Sequence, residues 1–246
     1  MPRFKITLQY DGADFFGWQM QATERTVQGE VEACIAPFND NNRVKVIGAG
    51  RTDTGVHAWG QVAHFDLKTE LDTCTLTDAF NARLPNDIYV TDLRVVPSDF
   101  HARYSARVRH YRYQCLMSVD ILMRNQTWII DDLSVDHLQK CAELIKGEHD
   151  FKSFCKSNPE VNHTRCIIYH SAWINDEKML TFHISGNRFL HHMVRYLVGS
   201  MVAVAQRRLI LEDFKMLLNQ PNKNVHIFKA PAQGLILEKV DYDEIT

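Results

Sequence analysis

The chain of 246 residues lacks a cysteine framework, a long apolar run and a surplus of either charge. Its six cysteines, at positions 34, 74, 115, 141, 155 and 166, form no CxxC pair and no regular spacing. Disulfide and metal frameworks announce themselves by spacing, so these read as mostly buried free thiols. The longest apolar stretch, Tyr196 to Ala205, is interrupted by Gly199 and Ser200, and a membrane helix needs about 20 apolar residues. Residues Met1 to Leu8 alternate apolar and polar, which describes a strand and not the unbroken apolar core of a signal peptide. No low-complexity segment or Ser/Gly linker divides the chain. With 45% hydrophobic and 24% charged residues, it has the composition of an ordinary globular protein, and a cytoplasmic enzyme is expected.

Charge balance excludes an indiscriminate polyanion binder. Lys plus Arg number 28 and Asp plus Glu 30, a net charge of −2. The distribution is uneven. Phe100 to Ser118 contains no acid but carries Arg103, Arg107, Arg109 and Arg112, while acids gather at Asp131-Asp132 and from Asp241 to Glu244. A local basic patch on a mildly acidic protein suits a discrete RNA substrate.

Against that background stands Val46-Ile47-Gly48-Ala49-Gly50-Arg51-Thr52-Asp53-Thr54-Gly55-Val56-His57-Ala58. An apolar pair enters a run of small residues, as a strand enters a turn. Gly50 and Gly55 bracket Arg51 and Asp53, and glycine lets a ligand or another backbone come close. A turn so placed holds one carboxylate out into a cleft. A neighbouring Arg51 would keep Asp53 ionised, making it a candidate nucleophile or base. The competing reading is an Arg–Asp pair that staples a loop.

Periodicity predicts an α+β fold. Strands are expected at Phe4–Tyr10, Val44–Ile47, Val62–Phe65, Ile88–Val96, Ser105–Met117, Ile167–Ile174, Met179–Ser185 and Leu235–Val240. Helices are expected at Thr26–Phe38, Leu76–Arg83, Ser134–Lys146, Phe189–Gln206 and Glu212–Asn219. Thr26 and Ser134 are N-caps, and Gly147 is a stop. Helices set between runs of strands would cover one face of a largely antiparallel sheet, with a weak boundary near residue 103. On the basic strand, Arg107, Arg109, Tyr111 and Tyr113 would share one face. Arginine with aromatics on a sheet face grips RNA backbone and stacks bases; a solvated face with two structural tyrosines fits equally. In the helix after Asn187, Leu190, Met193, Val194, Leu197, Val198, Met201, Val204 and Ala205 form an apolar stripe. His191, His192, Arg195 and Gly199 cluster opposite it. Adjacent histidines are not spaced to chelate a metal from one helix. The glycine beside Arg195 implies a close approach.

Asp53-Thr54-Gly55 is also the triplet of aspartic proteases. Those need two such aspartates sharing a proton; this chain has one, and its polar lead-in is wrong for a buried dyad. A non-catalytic RNA-binding module would explain the arginines and tyrosines, but leaves Asp53 without a purpose.

The segment Gly50 to Ala58 resembles the GRTDxGVHA signature of the TruA family of tRNA pseudouridine synthases. The resemblance continues in order through Tyr10-Asp11-Gly12, Phe16-Gly17-Trp18-Gln19, Gly60-Gln61-Val62, Leu84-Pro85, Phe100-His101-Ala102-Arg103, Tyr111-Arg112-Tyr113, His191-His192-Met193-Val194-Arg195 and Ala230-Pro231-Ala232-Gln233-Gly234-Leu235. Thr54 departs from the commoner Ala. The resemblance implies a pseudouridine synthase fold: two pseudo-symmetric α/β halves, 1–102 with the catalytic Asp and 103–246 with Tyr111 and Arg195, sharing a long, largely antiparallel sheet. It implies Asp53 as nucleophile, Tyr111 against the target base, Arg195 beside the Asp, and Leu235 lining the same pocket. Arg51 joins the catalytic set; Arg107, Arg109 and His192 join the substrate-binding set. The implied reaction turns uridine into pseudouridine at positions 38, 39 and 40 of the tRNA anticodon stem-loop, on a homodimer. Nothing is oxidised or lost in it, so no metal or other cofactor is expected.

Overall fold

The alternation near the N-terminus produces a strand, β1 (Arg3–Tyr10), with Phe4, Ile6, Leu8 and Tyr10 buried and the residues between them more open. A computed structural model of the chain describes residues 1–156, 163–222 and 227–243. After β1 come α1 (Val27–Ile35), β2 (Ile47–Gly48), β3 (His57–Asp66), α2 (Thr73–Arg83), β4 (Ile88–Val96) and β5 (Ala106–Leu116). Then follow β6 (Trp128–Ile129), α3 (Val135–Leu144), β7 (Gly147–Asp150), β8 (Arg165–Asp176), β9 (Met179–Gly186), α4 (Met193–Ala205), α5 (Leu211–Asn219) and β10 (Leu235–Tyr242). The fold is α+β, with mostly antiparallel strand pairing.

Two compact units divide the chain: Met1–Arg107 with the C-terminal strand from Ile236, and Val108–Leu235. In the first, β1 lies between β4 and β3, antiparallel to both, with Ile6 opposite Leu93 and Ala63. β2 adds to β3, and β10 runs parallel to it, Ile236 opposite His57. The Thr26 hydroxyl accepts from Gly29 N at the start of α1, and the Asp72 carboxylate accepts from Thr75 N at the start of α2. Such caps satisfy backbone donors that a helix start leaves open. α2 packs on β4, and Phe80 meets Phe65, which stacks on Phe4. In the second unit the strands run β5–β9–β8–β7, each antiparallel to the next. α3 packs on β8 and on α4, and α4 packs on α5.

Several boundaries differ from the periodicity. β3 begins at His57, five residues before the expected Val62, because Gly60 and Gln61 broke the pattern. Gly60 lies where β10 crosses closely: a Cβ there would sit 2.6 Å from the Glu238 carbonyl oxygen. Of Val44–Ile47 only Ile47 is in a strand. α3 ends at Leu144, before Gly147, which takes φ +91° and opens β7. α4 begins at Met193 and not at Phe189, because His192 adopts the left-handed φ of +64° and breaks the helical run. His191 and His192 therefore lie in the preceding turn and not on the helix. Four of the six cysteines are buried. Burial pushes the Cys34 thiol up to about 11 and those of Cys141 and Cys166 up to about 12, so they stay protonated and unreactive. Among the described residues no helix is long and apolar enough to cross a membrane.

Candidate active site

The loop carrying Asp53 is held by backbone contact. Gly17 has φ +85°, and a Cβ there would fall 2.6 Å from Thr52 O and 3.1 Å from Asp53 C. At Gly12 it would fall 2.1 Å from Val56 O. Neither position has room for a side chain, so two upstream glycines let the Tyr10–Trp18 segment lie directly against the Asp53 loop. Hydrogen bonds complete the clamp. Trp18 N donates to Thr52 O at 3.1 Å, Gly55 N to Phe15 O at 3.3 Å and Val56 N to Asp53 O at 3.1 Å. Gly12 N donates to His57 Nδ1 at 3.0 Å. The hydroxyls of Tyr10 and Thr52 meet at 2.8 Å, both buried. From the other side, Gln61 Nε2 donates to Gly50 O at 2.9 Å. The loop floor is buried at Thr52 and Val56, while Asp53 is half-buried and Arg51 and Thr54 are exposed.

An Arg51–Asp53 staple is not what holds this loop. Among the described residues the Arg51 side chain makes no ion pair or hydrogen bond, and the Thr54 hydroxyl makes none either. Glycine packing and main-chain hydrogen bonds fix the turn that carries Asp53. The clamp residues Tyr10, Gly12, Gly17 and His57 were legible as family markers but not as a clamp, since Tyr10 and Thr52 stand 42 positions apart.

The second unit gathers three of the remaining motifs. Arg195 on α4 donates from Nε to Ala230 O at 2.9 Å, and Ala230 N donates to Arg195 O at 2.9 Å. The close approach that Gly199 permits is made by this same segment: a Cβ there would sit 2.3 Å from Phe228 O and 2.7 Å from Ala230 N. The segment also meets Tyr113. The Tyr113 hydroxyl donates to Pro231 O at 2.9 Å, and a Cβ on Gly234 would strike the Tyr113 ring at 2.6 Å. Tyr113 is thus a core residue under the Ala230–Leu235 turn. Tyr111 is 8% exposed and meets Phe189 edge-on at 5.1 Å. Leu235 is buried at the start of β10. His192 stacks on His191, with ring centroids 4.0 Å apart, and its carbonyl accepts from Tyr196 N.

The basic window is less bare in space than in sequence. Arg107 pairs with Asp243 at 2.5 Å, both groups mostly exposed. Arg109 donates from Nη1 to Asn187 O at 2.7 Å. The Arg103 guanidinium sits 5.7 Å from the Tyr104 ring centre. Glu244, the last of the C-terminal acids, lies outside the described residues. An ion pair this exposed contributes little to stability.

A half-buried carboxylate on a backbone-clamped turn, in a chain with localised arginines, suits an enzyme that acts on RNA by acid–base or nucleophilic chemistry. Known proteins specify which. The family model for tRNA pseudouridine synthase matches residues 6–105 and 141–243. The tRNA pseudouridine synthase A of Dictyoglomus thermophilum is 41% identical over 247 residues, covering 98% of this chain and 100% of its own. That of Anoxybacillus flavithermus is 38% identical over 245 residues, covering 99% of this chain and 100% of its own. That of Halalkalibacterium halodurans is 39% identical over 240 residues, covering 96% and 91%. A chain of a Cbf5–Nop10–Gar1 complex aligns at a TM-score of 0.40 and 13% identity over 95% of this chain and 48% of its own, a likeness too weak to bear on function. The chain belongs to the tRNA pseudouridine synthase family, and is an isomerase and neither an aspartic protease nor a passive RNA-binding module.

Proposed function

We propose that this enzyme converts uridine to pseudouridine at positions 38, 39 and 40 of the tRNA anticodon stem-loop, with Asp53 as nucleophile. The observation that carries the reading is the clamp: a half-buried carboxylate whose loop is located by Gly12 and Gly17. Positioning of that kind is what a covalent step requires. The C1′–N1 bond breaks, C1′ joins C5, the C5 proton leaves and N1 gains one, so atoms and charge balance without an oxidant. Asp53 captures the ribose or the uracil ring while the base turns. Tyr111, set edge-on against Phe189, walls the base and helps remove the C5 proton. Arg195, held by Ala230, and Arg51, exposed on the loop, offset charge on Asp53 and on the displaced uracil. Leu235 and His192 line the base site; Arg107 and Arg109 hold the backbone.

Residues 1–102 and 103–246 serve as the two functional halves, one supplying the nucleophile and the other Tyr111 and Arg195. The working form is a cytoplasmic homodimer, free of metal and other cofactors. The test is incubation of the purified protein with unmodified tRNA in chelator, mapping pseudouridine by nucleotide. Product at 38–40 with wild type and none with Asp53→Asn, at unchanged tRNA affinity, is expected. Product elsewhere would overturn the site choice, and an active Asp53→Asn the nucleophile.

A further inference from the structure

Phe16 sits at the rim of the Asp53 loop and is 48% exposed, while its neighbours Phe15 and Trp18 are 1% and 2% exposed. Single exposed apolar side chains are ordinary on protein surfaces. This one differs in where and how it is held. The next residue, Gly17, is pressed against the Thr52 and Asp53 backbone. Phe16 N donates to Arg25 O at 2.9 Å, and Phe16 O accepts from Gln21 Nε2 at 3.0 Å. Arg25 in turn lies 4.1 Å from the Phe15 ring centre and is tied to Asp87 by two hydrogen bonds, of 2.7 and 2.9 Å, and to Glu30 at 2.9 Å. An ion-pair anchor and a clamped glycine therefore fix the main chain on which an exposed aromatic ring is mounted. Arg51, on the Asp53 loop, is exposed as well.

We propose that the Phe16 ring is a stacking surface for an RNA base adjacent to the target uridine. The inference rests on the reaction proposed above. To reach Asp53 the uridine must leave its stack, which uncovers the π-face of its neighbour. A rigidly mounted phenyl ring covers such a face without sequence preference, since every base presents one. That tolerance suits an enzyme that accepts more than one position in a stem-loop. Base–aromatic stacking is worth a factor of about 5 to 150 per base.

The test compares Phe16→Leu, which keeps the apolar volume but loses the ring, with Phe16→Trp, which keeps a stacking face. The substrate is an anticodon stem-loop RNA, intact or with an abasic site next to the target. Phe16→Leu should lower kcat/KM about 5- to 150-fold, and Phe16→Trp should stay within about threefold of wild type. The abasic RNA should reproduce the loss with wild type and cost Phe16→Leu nothing further. Equal activity of Phe16→Leu and wild type would overturn the proposal. So would equal losses in both variants, or a shift in oligomeric state, which would assign the ring to a protein contact. Absence of pseudouridine from wild type on full-length tRNA would instead overturn the reaction itself.

Discussion

Substituting Gly17 by Ala tests whether the clamp sets the position of Asp53. The residue has φ +85°, where an L-residue costs about 1–2 kcal/mol. Its Cβ would lie 2.6 Å from Thr52 O, where ordinary contact begins at 3.4 Å, so the facing peptide must retreat by most of an ångström. That peptide joins Thr52 to Asp53, so the carboxylate shifts with it. A misplacement of about 1 Å costs roughly 100-fold in rate. Gly17→Ala should therefore lower the single-turnover rate at saturating tRNA about 30- to 100-fold, leave tRNA affinity within about twofold, and lose about 2 kcal/mol of stability, roughly 4–8 °C in Tm. Gly147→Ala is the control. It has the same kind of backbone conformation, φ +91°, but nothing within 4 Å of the new Cβ. It should lose about 1 kcal/mol and no activity. If Gly17→Ala melts lower but turns over within threefold of wild type, the contact with Gly17 does not locate the nucleophile.

Asp53→Ala should abolish product with Tm unchanged within a few degrees, because the loop is fixed by main-chain contacts; residual turnover above a few per cent would remove Asp53 from the nucleophile's role. Arg195→Lys should bind tRNA nearly normally but react far more slowly, since lysine lacks the planar fork; a defect that vanishes at saturating tRNA would make Arg195 a binding residue. Arg107→Ala and Arg109→Ala should each flatten the salt dependence of tRNA binding, and an unchanged slope would mean neither meets a phosphate. Burial, with His101 and Arg3 nearby, depresses His64 to about 4, and Ala102 N donates to its Nδ1. His64 is 3% exposed, and its ordinary value is about 6.5. The unfolded chain therefore binds the proton first as pH falls. Stability should be full above about pH 6.5 and drop by about 3 kcal/mol on the way to pH 4. His64→Gln should lose much of that slope in denaturant titrations, and an unaltered slope would place the titration elsewhere.

Much was readable from residues alone. Ile88–Val96 appears with the bounds its alternation predicts, and the long strand Ala106–Leu116 and the helix Leu211–Asn219 lie within a residue of expectation. In each, apolar period and β-branched or helix-forming content agree. The glycine-bracketed Asp53 stood out because its chemistry and its turn are written in adjacent positions. What sequence could not show depends on residues far apart along the chain. Asp243 reaches Arg107 across 136 positions, so a window without acids in sequence has one in space. Gly199 opens room for Phe228 and Ala230 and not for a ligand. His192 leaves the helix its apolar stripe suggested, because one left-handed residue cancels a periodicity that counts only hydrophobicity. Local pattern determined which segments are strands, helices and turns, since it acts through neighbours two to four residues apart. Which backbone presses on the Asp53 loop, and which charges meet, was decided by tertiary packing, where sequence separation carries no weight.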